Sequence, residues 1–143
     1  MNTYNKLTAY LPTLEADNFG KWIIDSDSKG TMTDPIQMPY VSYSRMVRSF
    51  IDDVYDFADE HQEYKLNAYQ DILLENGIEW DSNSMNEKDV SSLDGKCIMA
   101  LLMGAVRADR FSEGALLSFF QTGTIATWLN RLKEIDEMKK SFD

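Results

Sequence analysis

The chain has 143 residues, 43% of them hydrophobic and 27% charged, and its 24 acidic against 14 basic side chains leave a net charge of −10. Length and balance fit one ordinary globular domain, residues 1–143, with a core of its own. The acidic excess argues against generic binding to DNA or RNA and against adsorption to anionic lipid, because both need clustered Lys and Arg. It keeps the protein in solution and permits a basic protein partner.

The opening segment sets Tyr4, Leu7, Leu11 and Leu14 at steps of three and four, one apolar helical face, with Pro12 expected to kink or restart it. Residues 19–43 have another texture. Phe19 to Ile24 reads as extended, Asp25 to Gly30 as rich in turns, and Ile36 to Val41 as a second extended piece. A short β-hairpin or an ordered loop is expected across this stretch.

The clearest helix follows, capped by Ser42 or Ser44. Met46, Val47, Phe50, Ile51, Val54, Phe57 and Ala58 form its apolar stripe, and Asp52, Asp53, Asp56, Asp59 and Glu60 lie opposite. A shorter helix over about 67–76 stops at Gly77. Trp80 and a polar loop, Asp81 to Lys88, lead to a central helix expected over 91–109 with Ser91 or Ser92 at its start. From Cys97 to Val106 that helix is apolar nearly all round, the mark of a helix surrounded by others. Ser112 is the expected cap of a short helix, Glu113 to Gln121, which Gly123 ends. Thr124 can cap the last helix, whose stripe is Ile125, Trp128, Leu129, Leu132 and Ile135. The fold class is mainly α: a compact bundle of five to six helices around the buried 91–109 helix, with the hairpin or loop at 19–43.

Chemistry concentrates in Arg107-Ala108-Asp109-Arg110-Phe111-Ser112-Glu113-Gly114. Two arginines three apart share a helix face where the buried helix ends, and the next helix offers backbone N–H groups. The segment reads either as a small anionic-ligand site or as a corner tied to carboxylates such as Asp52 or Asp56. For the ligand reading the candidate residues are Arg107, Arg110 and Glu113, with Trp22 or Tyr40 near them.

The run Arg107-x-x-Arg110-Phe111-x-Glu113-Gly114-Ala115-Leu116, with Gly123 and Trp128-Leu129-x-Arg131-Leu132 after it, resembles a bacterial protein family of unknown function. Tyr4-x-x-Leu7, Leu11-Pro12, Phe19-Gly20-x-Trp22 and Pro39-Tyr40 extend the resemblance over nearly the whole chain. It implies a small protein of the kind that accompanies mobile elements and phages, and it carries no catalytic residue to transfer.

Other motifs are incomplete. Asp25-x-Asp27-x-Lys29-Gly30 starts like a calcium loop, but Lys29 and Ile36 stand where oxygen ligands belong. Asp53, Asp56 and Asp59 invite comparison with Mg²⁺-dependent helical nucleotide pyrophosphatases, for which Asp71 and Glu75 are the nearest second acidic pair. A solvated helix face explains them better. His61 is the only histidine, too few for a multi-histidine zinc site or paired di-iron motifs, and any serine or cysteine triad would have to use it. Cys97, the single cysteine, reads as a small buried hydrophobe.

Trp22, Trp80 and Trp128, with Tyr40, Tyr43, Phe119 and Phe120, belong either to the core or to a groove for a planar ligand. No run of 18 apolar residues occurs, and Met1 to Lys6 lacks the pattern of a secretory signal. The expectation is a cytoplasmic, non-enzymatic interaction module with no cofactor, no metal and no membrane or nucleic-acid partner. A homodimer through a helix face is compatible with the sequence but has no mark of its own.

Overall fold

A computed structural model describes residues 3–24, 29–35 and 38–142, with side chains described through Met138. The proline at position 12 divides the first apolar face into two single-turn helices, α1 (Asn5–Thr8) and α2 (Leu11–Leu14). Pro12 sits in the first turn of α2, where its missing N–H has no helical partner to lose. The expected hairpin is present. Strands β1 (Gly20–Ile23) and β2 (Tyr40–Tyr43) pair antiparallel in the register Gly20 with Tyr43 and Trp22 with Val41. The calcium-like motif lies largely outside the described residues, since 25–28 and Ile36 fall there.

Helix α3 (Arg45–Glu60) starts at Ser44, whose Oγ accepts from Val47 N at 3.3 Å and donates to Asp17 Oδ2 at 2.7 Å. Two 3₁₀ turns, Gln62–Tyr64 and Leu66–Ala68, join it to α4 (Tyr69–Glu75). Three expectations about helix starts need correction. The segment from Asp81 to Lys88 is no polar loop: α5 (Ser82–Glu87) forms there because Asp81 Oδ1 accepts from Ser84 N at 2.7 Å and Met85 is fully buried beneath. The central helix α6 (Gly95–Ala108) begins after Ser91 and Ser92, with Asp94 as its cap on Cys97 N at 2.9 Å. Helix α7 (Ala115–Gln121) starts two residues later than expected and is not capped by Ser112. Helix α8 (Thr124–Phe142) begins at Thr124.

Every residue of α6 from Cys97 to Val106 is buried, and α3, α4, α7 and α8 pack around it. Buried apolar side chains from every helix but α2 form one cluster around α6, and Leu11 and Leu14 of α2 pack against it partly buried. Each fully buried Leu or Met there contributes about 1.5–3 kcal/mol of transfer free energy. Cys97 lies in this cluster, and burial pushes its thiol up to about 11. The chain start is held by a buried carboxylate on α8: Asp136 accepts from Thr3 N at 2.9 Å and from Tyr4 N at 3.0 Å. Gly95 completes that corner, because a Cβ there would overlap the Tyr4 hydroxyl. No helix among the described residues is long and apolar enough to cross a membrane.

Candidate functional site

The corner after α6 is built around Asp109. Its Oδ1 accepts from Tyr43 Oη at 2.8 Å, from Gly114 N at 3.1 Å and from Leu116 N at 3.2 Å. Tyr43 Oη in turn accepts from Leu117 N at 3.2 Å. The first turn of α7 is thus occupied from within the chain: the carboxylate of Asp109, the residue that follows α6, takes the place an external anion would fill. The Tyr43 hydroxyl is pushed well above the usual tyrosine range by burial, then by its bond to Asp109 and the charge there. This hydrogen-bonded set ties the hairpin to the start of α7.

The five sequence candidates separate in space. Trp22 lies over Gly114, which holds φ +86° and has no room for a Cβ beside the indole ring. In an antiparallel pair, facing residues share a face and neighbours alternate. Trp22, Val41 and Tyr43 therefore look toward the corner, while Tyr40 shares the other face with Ile23. Trp22 and Tyr40 cannot line one pocket with their rings on a common side. Arg110 and Glu113 are exposed on the turn.

Arg107 points elsewhere. Its guanidinium carbon stands 5.6 Å from the Tyr69 ring centre and 6.0 Å from that of Tyr55, and Nη2 donates to Asn67 Oδ1 at 3.3 Å. Neither arginine forms an ion pair among the described residues, so the tie to Asp52 or Asp56 is not made. Lys6 takes the α3 carboxylates instead, at 3.3 Å from Asp53 and 3.7 Å from Asp56, and the Tyr10 hydroxyl donates to Asp53. Among the described residues no three acidic, histidine or cysteine side chains converge to hold a metal ion.

The aromatic residues divide into buried and exposed ones. Trp128, Phe119 and Phe120 are core, while Trp22 and Tyr40 stand nearly half exposed at 46% and 45%. Trp80 is fixed by its Nε1, which donates to Gly104 O at 3.0 Å, and it meets Phe111 edge-on at 5.5 Å. Phe111 is 77% exposed. His61 stacks on Phe57 at 4.2 Å and faces Glu63 at 3.2 Å, so it is half buried rather than solvated.

Residues 1–138 match the family described as Family of unknown function (DUF6508). The chain belongs to this family. No curated protein and no solved structure matches the chain. The DUF6508 span takes in the hairpin, the Asp109 corner and the Arg107 cluster alike. Its description names no activity, and a role has to be argued from surfaces and side chains.

Sequence reasoning named Tyr43 only among the aromatics and Asp109 only as a neighbour of the arginines, and it passed over Tyr55, Asn67 and Tyr69. Asp109 carried a signal: it is a capping residue type between two helices, but it acts forward across the turn onto Gly114 and Leu116, where pattern rules look only at the nearest Ser. The tyrosines carried none, since Tyr55 sits on the flank of the α3 stripe and Tyr69 reads as ordinary core.

Proposed function

We propose that this protein is a non-enzymatic protein-interaction module, and that the hairpin is its contact surface. One observation carries the reading. Of the eight large apolar side chains exposed among the described residues, five belong to the hairpin stretch: Trp22, Ile24, Met32, Met38 and Tyr40. A two-stranded sheet cannot bury both of its faces, and Phe111 adds a further exposed ring on the corner that Gly114 joins to Trp22. Exposed apolar side chains concentrated in one small element, here on both faces of the hairpin, mark a contact site more often than scattered ones do.

The occupant is a different chain with a basic surface. Two copies of a protein at −10 repel one another, whereas the same field steers a cationic partner. Its setting is the cytoplasm of a bacterial or phage-infected cell. A photo-crosslinking residue at Tyr40 or Ile24, with Leu74 as an exposed apolar control, tests this in the native host. A discrete adduct with another protein from the two hairpin positions, but not from Leu74, is the expected result. Adducts only with a second copy, or equal labelling from all three positions, would overturn it.

A further inference from the structure

We infer that Arg107 is the anchor of a second site, independent of the hairpin, that binds the carboxylate of a small organic acid with an apolar body. The first ground is the state of the guanidinium. In a chain with ten surplus negative charges it has no ion pair among the described residues; it lies between the Tyr55 and Tyr69 rings and spends one N–H on Asn67. Its Nε is buried without a hydrogen-bond partner. Buried donors are nearly always satisfied, and guanidinium N–H groups match a carboxylate in spacing and charge.

The second ground is the space next to Asn67, the acceptor of the Arg107 Nη2 N–H; Arg107 itself stands behind Asn67 and is not on the lining of that space. Asn67 also lines a cleft of about 410 Å³ between α3 and the turns that follow it. Ala58, Leu66 and Ala68 give that cleft an apolar wall, and Lys65, held at φ +53°, adds a cation at the rim. Asp59 is on the same lining, and Asp56 and Glu60 lie along the same helix. Those carboxylates oppose a dianion more than a monoanion, because repulsion grows with ligand charge. The class that fits is a monocarboxylate, and inorganic phosphate or a phosphate ester fits less well. Arg110, Glu113, Trp22 and Tyr40 take no part in this site.

The test uses the whole chain and four small probes: benzoate, acetate, inorganic phosphate and benzamide. ¹⁵N NMR reads the Arg107 Nε–H and the Asn67 side-chain amide directly. Benzoate is expected to shift both signals saturably, acetate more weakly, phosphate less than benzoate, and benzamide not at all. Arg107→Met, which keeps the stem and removes the donors, is expected to weaken benzoate binding by about tenfold or more, the scale of one charge-assisted pair. Should Arg107→Met fail to fold, Lys65→Met, an exposed change, serves in its place with a smaller loss. Absence of a saturable benzoate shift at Arg107, equal response to benzamide, or a stronger response to phosphate would each overturn the assignment. None of these outcomes bears on the hairpin, whose crosslinking test reads different residues.

Discussion

At position 114 backbone and packing ask for the same residue. Gly114 sits at φ +86°, a conformation that costs an L side chain about 1–2 kcal/mol, and the Trp22 ring covers the place a Cβ would occupy. Gly114→Ala is expected to lower stability by about 1–3 kcal/mol and to shift Trp22 emission as the ring is displaced. Urea unfolding followed by tryptophan fluorescence checks both. Unchanged stability together with an unchanged native spectrum would show that the ring does not rest there. Gly95 offers no such latitude: its neighbour is the Tyr4 hydroxyl, itself fixed by Tyr64 Oη at 2.8 Å.

Alkaline pH reads the buried hydroxyls and the thiol. Burial, and then hydrogen bonds to Tyr64, Asp53 and Asp109, push Tyr4, Tyr10 and Tyr43 respectively upward, and burial pushes Cys97 up to about 11. Each of these groups is neutral when protonated, so the native state keeps its proton to a higher pH than the unfolded chain does. Their contribution is complete below the unfolded values, about 8.5 for Cys and 10 for Tyr, and is lost as pH rises above them. The urea midpoint is expected to hold level between about pH 7 and 8 and to fall beyond about pH 9. Cys97 should meanwhile resist thiol reagents until the chain unfolds. A midpoint that climbs through the same range would contradict the burial of these groups.

Among the elements, the hairpin and α7 are coupled through two side chains rather than through a shared apolar stripe. Tyr43→Phe removes the donor to Asp109 and the acceptor for Leu117 N, and Asp109→Ala removes the acceptor for Gly114 N and Leu116 N. Each is expected to cost about 1–3 kcal/mol, and the double variant less than the sum, because the two act in one network. A double-mutant cycle by chemical unfolding measures this; strict additivity would mean that the network is not shared.

The same scale shows what sequence reading can reach. The α3 stripe, the all-round apolar α6 and the α8 stripe were legible because burial on a helix leaves a period that survives in one dimension. The hairpin was legible from its change in texture. Helix α5 was not, since Ser82–Glu87 buries only Met85 and the remainder reads as loop. Helix starts were misplaced where the cap is an aspartate, Asp94 or Asp109, and a nearby serine also fits the pattern. Arg107 was singled out from the sequence, but its tyrosine neighbours come from α3 and α4, and only the fold brings them there.

Seen as a whole, the molecule separates its surfaces by chemistry. Acidic side chains line the outer faces of α3 and α4, exposed apolar ones gather on the hairpin, and the single cysteine is enclosed with α6. Such a division matches long-range steering by charge and short-range attachment by apolar contact. Ile24 is 67% exposed and Tyr40 45%, and neither belongs to the buried apolar cluster, so changing them costs the fold little. Ile24→Ser with Tyr40→Ser should therefore leave the unfolding midpoint within about 0.5 kcal/mol of the parent.

That separability gives the most direct test of the hairpin as the contact surface. Binding of the crosslinked partner, purified, is measured by titration calorimetry against the parent chain and against the Ile24→Ser, Tyr40→Ser double variant. A loss of about 30-fold or more in affinity with unchanged stability is the expected result, as for removal of an aromatic anchor from an interface centre. Affinity equal to that of the parent would place the contact surface elsewhere and contradict the account.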